Sequence, residues 1–208
     1  MITNTPKTIT IPSIFDDVKK TLDNFSASHI HLDGRLNSTI DEDVAIELLS
    51  KDFNIIKPPP RSWFDVAIVD GSETYYCNIK SSTFKGADNF SAKLAMLYCF
   101  TDIDVDKLNL YSGWGKFDSC LAKYKTADIE RNYYMIVINK NDGKCVIQSL
   151  KTLQKLTTNG NNLPFQIKWS DNKSCVSRTH EEARDFVIGA YKSSVKKKME
   201  QHKNVSDV

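Results

Sequence analysis

The sequence predicts an α/β fold, a mixed central β-sheet flanked by helices in a three-layer core. Three observations predict it: helical periodicity ahead of residue 55, two pairs of β-rich runs each folded at an Asp-Gly turn, and a helical run between those pairs. A strand, a helix and a further strand in that order require a crossover, which makes two strands parallel where hairpins alone would make every pair antiparallel.

Each element has its own warrant. Residues 13–25 space Ile14, Phe15, Val18 and Leu22 helically behind Pro12. Residues 40–53 do the same with Val44, Ile46, Leu48, Leu49 and Phe53, and set Asp41, Glu42 and Asp43 in the first turn, where the helix dipole favours acids. Residues 26–39 between them are polar and turn-rich. Pro58-Pro59-Pro60 is too short for a linker and is expected to deliver the chain, extended, into a strand. Residues 63–69 and 74–79 are β-rich runs around Asp70-Gly71, a strong hairpin signal. Residues 87–100 line up Phe90, Leu94, Leu97 and Tyr98 as one stripe and predict an amphipathic helix. Residues 133–139 and 144–149 read as strands around Asn141-Asp142-Gly143, and a long helix is expected from about residue 180 to 201.

The bulk numbers narrow the class. A chain of 208 residues with 40% apolar and 26% charged residues matches ordinary globular composition, which excludes a fibrous or disordered chain. At this length one domain, residues 1–208, is the default, burying roughly 70% of its unfolded surface. No window of 18 consecutive apolar residues occurs, and residues 1–10 lack a secretory pattern, so the reading is cytoplasmic with no membrane partner. Cys77, Cys99, Cys120, Cys145 and Cys175 are odd in number, widely spaced and without a Cys-x-x-Cys pair, so they are expected to be reduced thiols in or near the core. The net charge of +2 does not advertise a polyanion partner. Residues 192–203 are locally basic (Lys192, Lys196, Lys197, Lys198 and Lys203 against Glu200), a pattern read first as a solvated helix face and second as a phosphate-facing one.

One stretch carries chemistry. Asp65 stands at the start of the first β-run, and Asn78-Ile79-Lys80 stands at the end of the second. Strand side chains alternate, so Asn78 and Lys80 share a face, and folding at Asp70-Gly71 brings Asp65 to them on one edge of the sheet. A carboxylate set beside a lysine on one face is a candidate catalytic pair.

In these residues and their order the chain resembles the PD-(D/E)xK nuclease superfamily, and more narrowly the type II restriction endonucleases, over about residues 40–139. Two positions depart from the pattern: Phe64 stands where a proline is usual, and Asn78 stands where a second acid is usual. The resemblance implies a restriction-endonuclease-like core, magnesium as cofactor, and Asp65, Asn78, Lys80 and Glu42 as catalytic residues. Asp65, Asn78 and Glu42 would be the metal ligands. Glu42 enters as the acid on the preceding helix that replaces the charge missing at Asn78, with Glu47 as the alternative and Asp43 on the same helix. It further implies a catalytic core of about residues 40–140, with residues 150–208 serving DNA recognition, dimerisation or both.

Candidates for contacting DNA follow from composition. Residues 157–172 are rich in Asn and Gln, which pair with adenine edges, and give Asn161, Asn162, Gln166 and Lys168, with Trp169 beside them. An ordinary turn into a short strand is the equal alternative. Lys85, soon after Lys80, is expected near a phosphate. Gly113-Trp114-Gly115-Lys116 is read as a loop, and His29 with His31 as surface residues more than as metal ligands. The leading expectation is a magnesium-dependent, site-specific endonuclease acting on double-stranded DNA as a homodimer. A repair or structure-specific nuclease on the same core, or a DNA-binding module with a decayed site, are the alternatives.

Overall fold

The computed structural model describes residues 7–30, 42–108, 113–161 and 164–203, with backbone only for 25–30. Helix α1 (Ile14–Ile30) buries Phe15, Val18 and Leu22, the stripe expected from its spacing, and runs on into a segment expected to be turns. Helix α2 (Glu42–Asp52) opens on Glu42 and Asp43. It buries Ala45, Ile46 and Leu49, while Val44, expected in the stripe, is exposed because the buried face runs one residue later.

Strand β1 (Asn54–Ile56) follows directly. The prolines then lead into a turn instead of a strand: the Ser62 N–H donates to the Pro59 carbonyl (3.3 Å), and Arg61 takes a φ of 70°. Strands β2 (Val66–Asp70) and β3 (Glu73–Ser82) form the expected hairpin, turned at Gly71 with a φ of 58° that glycine adopts without steric cost. The expected helix over residues 87–100 splits in two. Asp88–Phe90 is strand β4, and only Lys93–Phe100 is helix α3. Asp and Asn are poor helix formers, and here their backbone pairs with another strand. Helix α4 (Trp114–Lys123) lies where a loop was expected. Its Phe117, Cys120 and Leu121 are buried at helical spacing behind Gly113, whose φ is 88°.

Strands β5 (Tyr133–Asn139) and β6 (Cys145–Ser149) form the second hairpin. The main sheet has the order β1-β2-β3-β5-β6. Its β3–β5 pair is parallel and the rest antiparallel, so α3 and α4 lie within the crossover, as the element order required. A second sheet, absent from the sequence reading, joins β4 to β8 (Phe165–Ile167) and β7 (Thr157–Thr158), in the order β4-β8-β7. Helix α5 (His180–Gln201) begins with a capping box in which Thr179 and Glu182 satisfy each other's backbone N–H groups.

Alternation along the central strands splits the interior. Cys77, Ile79, Tyr134, Ile136 and Ile138 face α1 and α2. Tyr133, Met135 and Val137 face the other side, where one cluster also takes in Phe90, Phe165 and Ile167 of the second sheet and Ala183, Val187 and Tyr191 of α5. Four of the cysteines are buried and unpaired, whereas Cys175, expected near the core, is exposed. Among the described residues no helix is long and apolar enough to cross a membrane.

Candidate functional site

Asp65 comes immediately before β2. Extending the β2–β3 register one step beyond Val66↔Cys77 sets it opposite Asn78 and on the same face. Its N–H donates to the Cys77 carbonyl (2.9 Å), so the backbone is fixed like a strand residue. The side chain then continues the ladder: its Oδ2 accepts the Ile79 N–H (3.0 Å) and the Asn78 side-chain amide. With two donors on one oxygen, the carboxylate has a fixed orientation.

Asp65, Asn78 and Lys80 do converge, but over the central strand of the sheet and not at its edge, since β3 has β2 on one side and β5 on the other. There they line a cavity of about 410 Å³ together with Glu42, the first residue of α2. Asp43 and Glu47 are exposed and do not line it. Further lining comes from β4 and the start of α3, with Asn89, Phe90, Ser91 and Lys93. Neither Asn89 nor Lys93 stood out in the sequence, because the pairing of β4 with β8 that carries Asn89 there spans more than seventy positions.

An aromatic group supports the segment leading into Asp65. Trp63 packs on Phe64, Tyr76, Tyr98 and Tyr133 with ring centroids 4.8 to 5.7 Å apart. The Tyr133 hydroxyl donates to the Trp63 carbonyl (3.1 Å), and the Trp63 indole N–H donates to Asp106 (2.9 Å). Burial, then the Asp65 charge, pushes the Tyr133 phenol well above its usual range, so it stays a donor.

Burial raises the Asp65 carboxyl above its ordinary value. The Ile79 and Asn78 hydrogen bonds and the Lys80 charge oppose that shift without cancelling it. A half-buried carboxylate held partly against ionisation is relieved by a cation. Magnesium takes hard oxygen ligands from one or two carboxylates and fills the rest of its octahedron with water. Asp65 and Glu42 supply two carboxylates to one cavity with room for an ion and its water ligands, so the donor set fits such an ion, although among the described residues no three His, Cys, Asp or Glu side chains gather as a cluster. Asn78 turns its amide nitrogen to Asp65, so its contact here is as a positioning donor, with the amide oxygen as its remaining ligand atom.

The expected DNA-contacting residues fall on the second sheet and around it. Gln166 lies mid-way along β8, directly opposite Asn89, and Lys168 just after β8 is exposed. Asn161 is exposed and accepts from Gln201 of α5 (3.3 Å). Lys85 is exposed in the turn after β3. Asn162, Asp41 and His31 lie outside the described residues, and His29 falls within α1, in its backbone-only portion. No protein-family model matches the chain, and comparison with curated proteins gives no significant match.

Proposed function

We propose that this protein is a magnesium-dependent endonuclease of the type II restriction kind, hydrolysing phosphodiester bonds in double-stranded DNA at a specific site. The observation that carries the reading is the placement of Asp65, Asn78, Lys80 and Glu42 on one cavity, with the Asp65 carboxylate held by two donors beside the Lys80 charge. Asp65 and Glu42 are the residues that would hold the ion. Bound there, magnesium would neutralise phosphate charge and make water a better nucleophile at neutral pH. Lys80 donates toward the attacked phosphate and stabilises the charge that develops on it. Asn78 and the Ile79 N–H keep Asp65 in one orientation, and Tyr133 pins the backbone that enters it.

The substrate and assembly follow from the resemblance in the residue pattern: double-stranded DNA, cut by a homodimer matched to a two-fold site. The test is incubation of purified protein with bacteriophage DNA and magnesium. Discrete fragments that vanish when a chelator removes the ion support the reading, and a smear from damaged or branched DNA alone points to a repair nuclease. The amide at Asn78, where a carboxylate is usual, favours one further reading, a DNA-binding module with a decayed centre. Retarded DNA without any cleavage would establish that instead.

A further inference from the structure

Three strands of two or three residues hardly stabilise a sheet, yet β4, β8 and β7 meet at the wall of the candidate cavity. Their inward side chains, Phe90, Phe165 and Ile167, belong to the core, so the alternate residues Asn89 and Gln166 share the other face. They stand directly across from each other in the β4–β8 register.

The orientation of these carboxamides is set by one unambiguous donor. The backbone N–H of Asn161 donates to the Asn159 side chain (3.1 Å), so that end of Asn159 is its oxygen. Its other end is then the amide nitrogen, which donates to Asn89 Oδ1 (3.0 Å). That makes the near end of Asn89 an oxygen, and Gln166 must meet it with nitrogen, as it does at 3.3 Å. Two groups are left over. The Asn89 Nδ2 donor and the Gln166 Oε1 acceptor have no hydrogen-bond partner among the described residues.

We infer that Asn89 and Gln166 together read an adenine in the major groove of the DNA bound at this site, an inference that rests on the nuclease reading above. Adenine is the base that offers an acceptor, N7, beside a donor, N6–H, on its major-groove edge. Asn89 Nδ2 donates to N7, and Gln166 Oε1 accepts from N6–H. Guanine presents two acceptors, so its O6 meets the Gln166 oxygen without a proton between them. Cytosine lacks the N7 acceptor and thymine the donor. Asn159 is a positioning residue: it holds the Asn89 oxygen and thereby turns the Asn89 donor outward. Because Asn89 also lines the cavity with Asp65 and Lys80, the adenine read this way lies close to the phosphate that is cut.

The test selects bound duplexes from a random double-stranded library, with calcium in place of magnesium so that DNA is held and not cut. The wild-type protein should enrich a consensus with a fixed adenine, and Asn89→Ala and Gln166→Ala should each relax that one position while leaving the others intact. Replacing that adenine by 7-deazaadenine should weaken wild-type binding by at least roughly fivefold and leave Asn89→Ala unaffected, whereas purine lacking the 6-amino group should do the same for Gln166. Retention of the other consensus positions shows that each variant is folded. Unchanged adenine selectivity in both variants, or equal sensitivity of wild type and variants to the analogues, overturns the inference while cleavage by the wild type leaves the nuclease reading standing. No enrichment and no cleavage by the wild type overturns both.

Discussion

The side-chain amide of Asn78 donates to the carboxylate of Asp65 across the β2–β3 pair, on the oxygen that also accepts the Ile79 N–H. At the position where the nuclease pattern usually places a second acid, this chain therefore has a group that holds the first acid in place. An acid at position 78 would repel Asp65 at that distance in the absence of a cation, whereas the amide relieves a carboxylate already strained by burial.

Replacement of Asn78 by alanine should consequently act through Asp65. Cleavage should fall less than for loss of Asp65 itself, and the magnesium concentration giving half-maximal rate should rise, because the carboxylate loses one of its two orienting donors. Asn78→Asp should make metal-free protein less stable and restore that stability when magnesium is added. Thermal melts with and without the ion check both statements, and a melt of Asn78→Asp insensitive to magnesium would count against a cation site here.

The raised Asp65 carboxyl makes a pH-dependent claim with a definite sign. Its folded-state pKa lies above the unfolded value because burial disfavours the anion, so the folded protein holds that proton more tightly. Stability contributed by this group is present at low pH and is lost as pH rises through the carboxylate range. Asp65→Asn keeps an oxygen able to accept from Asn78 and Ile79 but carries no charge. It should raise the melting temperature of metal-free protein at neutral pH, and the gain should shrink as pH falls and Asp65 takes up its proton. Cleavage by the wild type should fail on the acid side at a higher pH than an ordinary carboxylate would dictate, since the proton competes with the ion.

Loss of the α5 capping box should separate stability from chemistry. Thr179→Ala removes the acceptor for the Glu182 N–H and should cost about 1 kcal/mol, measured by denaturant unfolding. Helix α5 reaches the residue following β7, for the Ser194 hydroxyl accepts the Asn159 N–H (3.0 Å), but it does not line the cavity holding Asp65. Cleavage per folded molecule should therefore be unchanged.

How much of this was legible follows from where the period is long enough to read. The two hairpins were visible because Asp70-Gly71 and Asp142-Gly143 turns sit between runs of five or more β-rich residues, and their order fixed the parallel β3–β5 pair. Asp65, Asn78 and Lys80 could be gathered from the same logic, since a hairpin dictates which residues face each other, whereas Glu42, on the preceding helix, entered only through the resemblance. The second sheet could not. Strands of two or three residues have no measurable alternation, and Phe90 with Leu94 and Leu97 imitates a helical stripe through residues that in fact change from strand to helix. Helix α4 did leave a signal in Phe117, Cys120 and Leu121, masked by two glycines that suggested a loop. The opposition of Asn89 and Gln166 is a long-range pairing, which no local pattern encodes.

The division of labour at the cavity gives the sharpest prediction. Asp65→Ala removes a carboxylate that the ion would need, so cleavage should fall by several orders of magnitude. DNA binding should survive and even tighten slightly, because phosphate contacts supply most of the affinity and one acid has left the cleft. Glu42→Gln should resemble a weaker form of the same defect, partly recovered at higher magnesium. Lys80→Ala removes instead the cation that faces the developing phosphate charge, so cleavage should fall by roughly 100-fold or more with no recovery at high magnesium. Calorimetric titration with the ion should show binding lost in Asp65→Ala and kept in Lys80→Ala. Cleavage that persists in both variants would remove the active site from this cavity. Equal magnesium rescue of both would mean that Lys80 acts only by assembling the metal site, since a group working on the phosphate itself cannot be replaced by more of the ion.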